Sequence, residues 1–417
     1  MLAAMNTSVR AARRATFAFF ALNGFVMGAW IVHIPAVESR TGISHAMLGW
    51  LLLLLGAGAF VGMQLCGRLT DRVGARRVVP AGAVLCSAAV VLPALAVDAA
   101  TLGAALFLLG FGNGCLDVSM NTHAVQVERG YGRPVMSAFH AVFSLGGVLA
   151  ALVGARLVTW GWDLGVTLTA VAVTGLVVTL CATPALLGPP VPAGGGARSD
   201  GTASTGTAAD GDGVRPAGRR RTPRRVWALA VLALLLMLCE GVANDWSVLH
   251  LEDVLGAPAA TAAFAYGAFA TAMTVGRLLT DRVAARTGPV FVVRYGASAA
   301  GVGLAVAALS PWVAPALVGW AVFGLGLSGC VPQFFSAAGH ADEDAAGAHV
   351  SRVAGLGYLG MLAGPAVIGP LTHLVPLNLA LLLPVALCAV AAAAAGVLRA
   401  EPPREADRSG RCRTEAV

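Results

Sequence analysis

The chain has 417 residues, is 57% hydrophobic and 12% charged, and carries a formal net charge of +7. A soluble domain has about one charged residue in four and needs polar cover over its surface, so this composition excludes an ordinary water-soluble protein. All 28 basic residues are arginine; a chain without lysine has no Gly-Lys-Ser/Thr phosphate loop, which excludes a single-chain ATP-driven pump.

Twelve apolar runs are long enough to cross the hydrocarbon layer, which takes about 20 residues of helix. They fall at 15–36, 46–67, 78–97, 101–123, 135–156, 164–187, 226–248, 259–279, 290–309, 313–335, 350–373 and 378–398. The first follows Arg10, Arg13 and Arg14, as a signal peptide would, but it is too long for one and lacks a small-x-small cleavage site. The pattern predicts an all-α polytopic membrane protein of 12 transmembrane helices. Its parts are a tail (1–14), a six-helix bundle (15–187), a linker (188–225), a second bundle (226–398) and a tail (399–417). The linker is rich in Gly, Ala, Thr, Asp and Arg and is expected to be disordered.

With the N-terminus inside, the inner loops and tails take every arginine except Arg40 and Arg156. That bias predicts that both termini are cytoplasmic. Seven cysteines, from Cys66 to Cys388, sit in apolar runs and Cys412 lies in the tail; none has metal-binding spacing, so neither a metal nor a cofactor is expected.

The second run ends in Gly67-Arg68-Leu-Thr-Asp71-Arg72-Val-Gly74-Ala-Arg76-Arg77, and the eighth in Gly276-Arg277-Leu-Leu-Thr-Asp281-Arg282. The string Thr-Asp-Arg-Val-x-Ala-Arg thus recurs at the same place in each half, the mark of an internal repeat with a site at the repeat interface. A weaker echo joins Gly110 to Cys115 with Gly324 to Cys330.

Twelve spans, a long central loop and this loop motif resemble the major facilitator superfamily. The resemblance implies two pseudo-symmetric six-helix bundles around one central cavity. It also implies a gating loop (Gly67, Asp71, Arg72, Gly74, Arg76, Asp281, Arg282) whose acid docks against the other half. Leu116 to Asn121, followed by Gly132 to Gly146, is similar to the fucose-permease branch. There an acid at the position of Asp117 is tied to proton coupling, and the residue matching His140 lies near the sugar. That branch carries a second acid in the first span, where this chain has Asn23 instead.

Ionisable groups inside a span are costly and therefore functional candidates. Asn113, Asp117 and Asn121 recur every four residues and share one helical face. Asp117 is the candidate proton carrier, with His140 at similar depth tuning it. Glu240, Asn244 and Asp245 in the seventh span, with no arginine apparent beside them, are expected to face the cavity. Trp246 reads as an interfacial residue. Asn23, Gln333 and Tyr358 are further cavity candidates, with Trp30, His33 and Gln64 behind them. Gly324-x-Gly326-x-x-Gly329 matches a dinucleotide fingerprint, but no strand precedes it, so it reads as close helix packing. Gly360, Gly364 and Pro365 read the same way.

The expectation is a secondary transporter that moves a small polar organic solute by alternating access, with protons as the coupling ion. It would be a monomer in the bacterial inner membrane, without nucleic-acid partners or enzymatic activity. The alternatives are a drug or metabolite exporter of the same fold, and a transport-inactive sensor or polytopic membrane enzyme.

Overall fold

A computed structural model describes residues 2–188 and 222–399; most of the expected linker and all but the first residue of the C-terminal tail lie outside the described residues. Twelve helices are long and apolar enough to span a membrane. They are α1 (Ser8–Thr41), α2 (Met47–Val73), α3 (Ala75–Leu95), α4 (Ala99–Tyr131), α5 (Met136–Thr159) and α6 (Leu164–Ala185), then α7 (Arg224–Val254), α8 (Thr261–Thr287), α9 (Pro289–Leu309), α10 (Val313–Gly339), α11 (Ala346–Leu371) and α12 (Leu377–Leu398). Among the described residues there is no strand, as lipid demands of a chain that does not close a barrel.

Several helices outrun their apolar runs. Helix already covers residues 2–14, expected as a tail. The helix of α2 continues through Asp71 and Arg72 to Val73, and α8 continues through Asp281 and Arg282 to Thr287. The motif acids therefore stand on the last turns of helices, not in loops. Gly74 ends α2 at φ 87°, where its N–H bonds the Thr70 carbonyl; a β-carbon is strained in that conformation, so glycine suits the stop.

Two large clusters make up most of the core among the described residues. One gathers α1–α6 around Phe19, Phe20, Leu102, Leu106 and Phe139. The other gathers α7–α12 around Leu236, Phe269, Trp320, Phe323 and Phe334. Within the first, the His123 Nδ1–H meets Thr16 Oγ1 at 3.0 Å, and Nε2 accepts the Leu187 N–H at 3.0 Å. One imidazole thus ties α4 to α1 and to the segment that leads into the linker. The Gly324 motif packs as expected: a β-carbon at 324 would strike the Phe269 backbone, and one at 326 the backbone of α9. Gly360 and Gly364 pack in the same manner against α7.

The two halves meet along α2 and α11, and along α5 and α8. These seams close at the end where even-numbered helices stop and odd-numbered helices begin, called here the locked end.

Candidate functional site

Each half closes the locked end with one carboxylate. Asp71, on the last turn of α2, accepts the Gly347 N–H at 2.6 Å and the Ala348 N–H at 2.8 Å, at the start of α11. Asp281, on the last turns of α8, accepts the Ser137 N–H at 3.0 Å and the Ala138 N–H at 2.7 Å, at the start of α5. The first N–H groups of a helix have no partner within it, and the helix dipole favours an anion there. The repeated acid is thus used twice, once in each direction across the pseudo-symmetry. Gly67 permits the first closure, because a β-carbon on it would lie 2.7 Å from the Gly347 carbonyl oxygen. Arg72, Arg76 and Arg282 are exposed beside these acids.

Three further groups seal this end. Glu128 accepts the Val135 N–H at 3.0 Å and the Met136 N–H at 3.1 Å, and Ser336 of the other half donates to its second oxygen. Arg129 donates to the Gly339 carbonyl and pairs with Glu343 at 3.5 Å. Gln64 donates to the Ser351 carbonyl at 3.2 Å. Glu128 was not among the sequence candidates. Its signal was available: an acid just before the Gly-Arg-Pro turn that starts α5.

Deeper in the bundle a polar network spans both halves. The Asn121 side-chain N–H donates to the Asp117 backbone carbonyl at 2.9 Å and to its carboxylate at 3.3 Å. The Asn121 carbonyl oxygen faces His140 Nε2 at 3.2 Å, so that nitrogen carries the proton. Asp117 and His140 are thus joined through Asn121. The imidazole sits between Phe20 of α1 and Phe335 of α10. One turn beyond Asp117, Asn113 faces the Tyr358 hydroxyl of α11 at 3.5 Å. Asp117 Oδ2 and Asn113 Oδ1 are buried acceptors without a hydrogen-bond partner.

The residue that sequence reading misplaced is Arg277. It was counted with the inner-loop arginines, but its side chain is only 13% exposed and lies between the halves. Nη1 donates to Ser144 Oγ of α5 at 2.8 Å, and Nη2 reaches Glu240 of α7 at 3.5 Å. Glu240 therefore does not stand without an arginine, and part of its capacity is taken by an ion pair. Asn244 and Asp245 are exposed one turn further along α7, and Tyr266 lies within electrostatic range of Glu240 and Asp245.

The remaining candidates are scattered. Gln333 is buried and lines a cleft at the locked end with Glu128, Arg133 and His340. Asn23 is buried one turn beyond Phe20, its Oδ1 without a partner. Trp30 is buried, and His33 Nδ1 bonds its own helix at the Ala29 carbonyl. Among the described residues no cluster of His, Cys, Asp and Glu could hold a metal ion.

Residues 16–348 match the family model described as Major Facilitator Superfamily. The chain belongs to the major facilitator superfamily. An uncharacterised MFS-type transporter of Yersinia pestis is 35% identical over 388 residues, covering 92% of this chain and 94% of that one. In fold, this superfamily member is similar to the crystal structure of the transporter FucP in its outward conformation, with TM-score 0.74, 16% identity, and coverage of 93% of this chain and 98% of that chain. It is also similar to the proton:xylose symporter XylE, with TM-score 0.69, 11% identity, and coverage of 93% and 95%. As a member of this transporter superfamily it is a multi-pass membrane protein.

Proposed function

We propose that this chain is a secondary transporter that moves a small polar organic solute by alternating access and couples it to protons through Asp117. The observation that carries this reading is the pair of reciprocal acid-to-helix contacts at one end of a polar interior. Asp71 and Asp281 bind the opposite half with that end shut. Releasing them opens the interior to that side. Asp117 and Asn113 offer the solute unpartnered acceptors from the N-terminal half, and Tyr358 offers a hydroxyl from the C-terminal half. A solute rich in hydroxyl or amine donors suits that set.

Asp117 is the proton carrier in this reading because one oxygen is buried without a hydrogen-bond partner while the other is held by Asn121. The arginine bias supports an inner-membrane orientation with both termini and the locked end cytoplasmic, in which the structure is shut toward the cytoplasm. The unit of transport is taken to be the monomer, since one chain supplies both halves of the site.

The test is reconstitution into liposomes under an imposed pH gradient, with a screen of sugars, polyols and hydroxylated amines for solute-dependent lumenal pH change. Flux that persists in Asp117→Asn with unchanged pH dependence removes the proton role. Solute binding without flux would make the protein a sensor.

A further inference from the structure

Arg277 occupies a position with no counterpart in the other half. Counting back one turn from each motif acid leads from Asp71 to Gly67 and from Asp281 to Arg277. The α2–α11 seam therefore closes on backbone at Gly67, while the α5–α8 seam closes on a guanidinium. That guanidinium is divided: Nη1 holds Ser144 of the opposite half at 2.8 Å, and Nη2 reaches Glu240 of its own half at a stretched 3.5 Å. Its Nε is buried without a partner. Arginine presents its donors in a rigid planar fork that matches a carboxylate with two bonds, and here the fork is not closed on Glu240.

We infer that Arg277 is a positioning residue that exchanges partners between Ser144 and Glu240 as the seam opens. Separating α5 from α8 breaks the Ser144 bond. A charge left unpaired inside the bundle is strongly unfavourable, so separation proceeds only if Glu240 takes up the freed donor in a closed two-bond pair. Ser144 and Glu240 thus compete for one guanidinium. Ser144 favours the shut seam and ionised Glu240 favours the open one. A solute that draws Glu240 away from Arg277 holds the seam shut, and one that leaves the pair intact lets it part.

This inference rests on the alternating-access reading, but its test needs no transported solute. Hydrogen–deuterium exchange by mass spectrometry, on the full-length protein in lipid nanodiscs, reports opening through the amides of 135–144 and 346–352. Ser144→Ala is expected to speed exchange in both segments about tenfold, the equivalent of one hydrogen bond to a charged group. Glu240→Gln is expected to slow it by a similar factor, because Arg277 then has only Ser144. Ser144→Thr keeps the hydroxyl and is expected to exchange as the parent does. Faster or unchanged exchange in Glu240→Gln overturns the partner exchange, as does unchanged or slower exchange in Ser144→Ala. A chain that exchanges as expected yet moves no solute in liposomes refutes the transport reading and leaves the Arg277 competition standing.

Discussion

Asp117 and His140 are joined through Asn121, whose amide nitrogen lies 3.3 Å from the carboxylate and whose carbonyl lies 3.2 Å from the imidazole. An amide cannot pass a proton along as a carboxyl or imidazole can. It can fix both neighbours: the carboxylate receives a donor, and the imidazole is held as the tautomer with Nε2 protonated. In the proton-coupled reading proposed above, the free Oδ2, and not the Asn121 amide, is the atom that takes up the proton.

Replacing Asn121 tests this arrangement. Asn121→Leu keeps the volume and removes both bonds, leaving the His140 N–H unpaired between Phe20 and Phe335. The expected cost is about 1–3 kcal/mol of stability, read as a lower unfolding temperature in detergent. Proton-linked flux should fall at least about tenfold. Wild-type flux in a normally inserted Asn121→Leu protein would make Asn121 a packing residue only.

The two motif acids should act alike because they make the same contact. Asp71→Ala and Asp281→Ala each leave two helix-start N–H groups without their anion, an effect of about 1–2 kcal/mol per site. Either change should lower initial transport rates about tenfold at equal membrane abundance. The double variant should be worse than either single one, since the sites lie on separate seams. Normal rates in both single variants would exclude a gating role.

Gly67→Val tests the seam that closes on backbone. A side chain there meets Ser351 and the Gly347 carbonyl, and overpacking of this kind costs about 1–3 kcal/mol. The strain exists only while α2 and α11 touch, so the variant should insert normally but populate the opened form. The check is faster amide exchange at 346–352 with little change at the far ends of the same helices.

Glu128→Gln keeps an acceptor for the Val135 and Met136 amides but removes the charge that faces them and Ser336. Thermal stability should drop by about 1 kcal/mol. Glu128→Ala, which leaves both amides unpaired, should lose about two to three times as much. Equal unfolding temperatures for the two variants would mean that the carboxylate matters for charge alone.

What the sequence revealed and what it hid follow from how apolar runs relate to helices. Hydropathy finds where a helix enters lipid but not where its hydrogen bonding stops. The eighth run fades at Leu279, while the helix continues to Thr287. Hydropathy therefore places Asp281 in a loop although it is helical, and it groups Arg277, at the very end of the run, with the inner-loop arginines. The repeat concealed Arg277 for a second reason. Its Gly-Arg pair invites alignment with Gly67-Arg68, but one extra residue precedes Asp281, and aligning on the acid places Arg277 opposite Gly67. The Asn113, Asp117 and Asn121 face was legible because one helix supplies it. The Arg277, Ser144 and Glu240 contact draws on three helices from both halves, and no spacing within one segment encodes it.

The acids at the closed end bind main-chain amides, and that choice shapes how the protein can vary. Every residue except proline supplies the same N–H, so positions 137, 138 and 348 can change identity and still complete the contact. A survey of side-chain replacements along the starts of α5 and α11 would pass over half of each contact. The donating partner in each closure is interchangeable main chain, so on the receiving side it takes a proline, or a side chain at Gly347 that would strike Asp71, to disturb the contact.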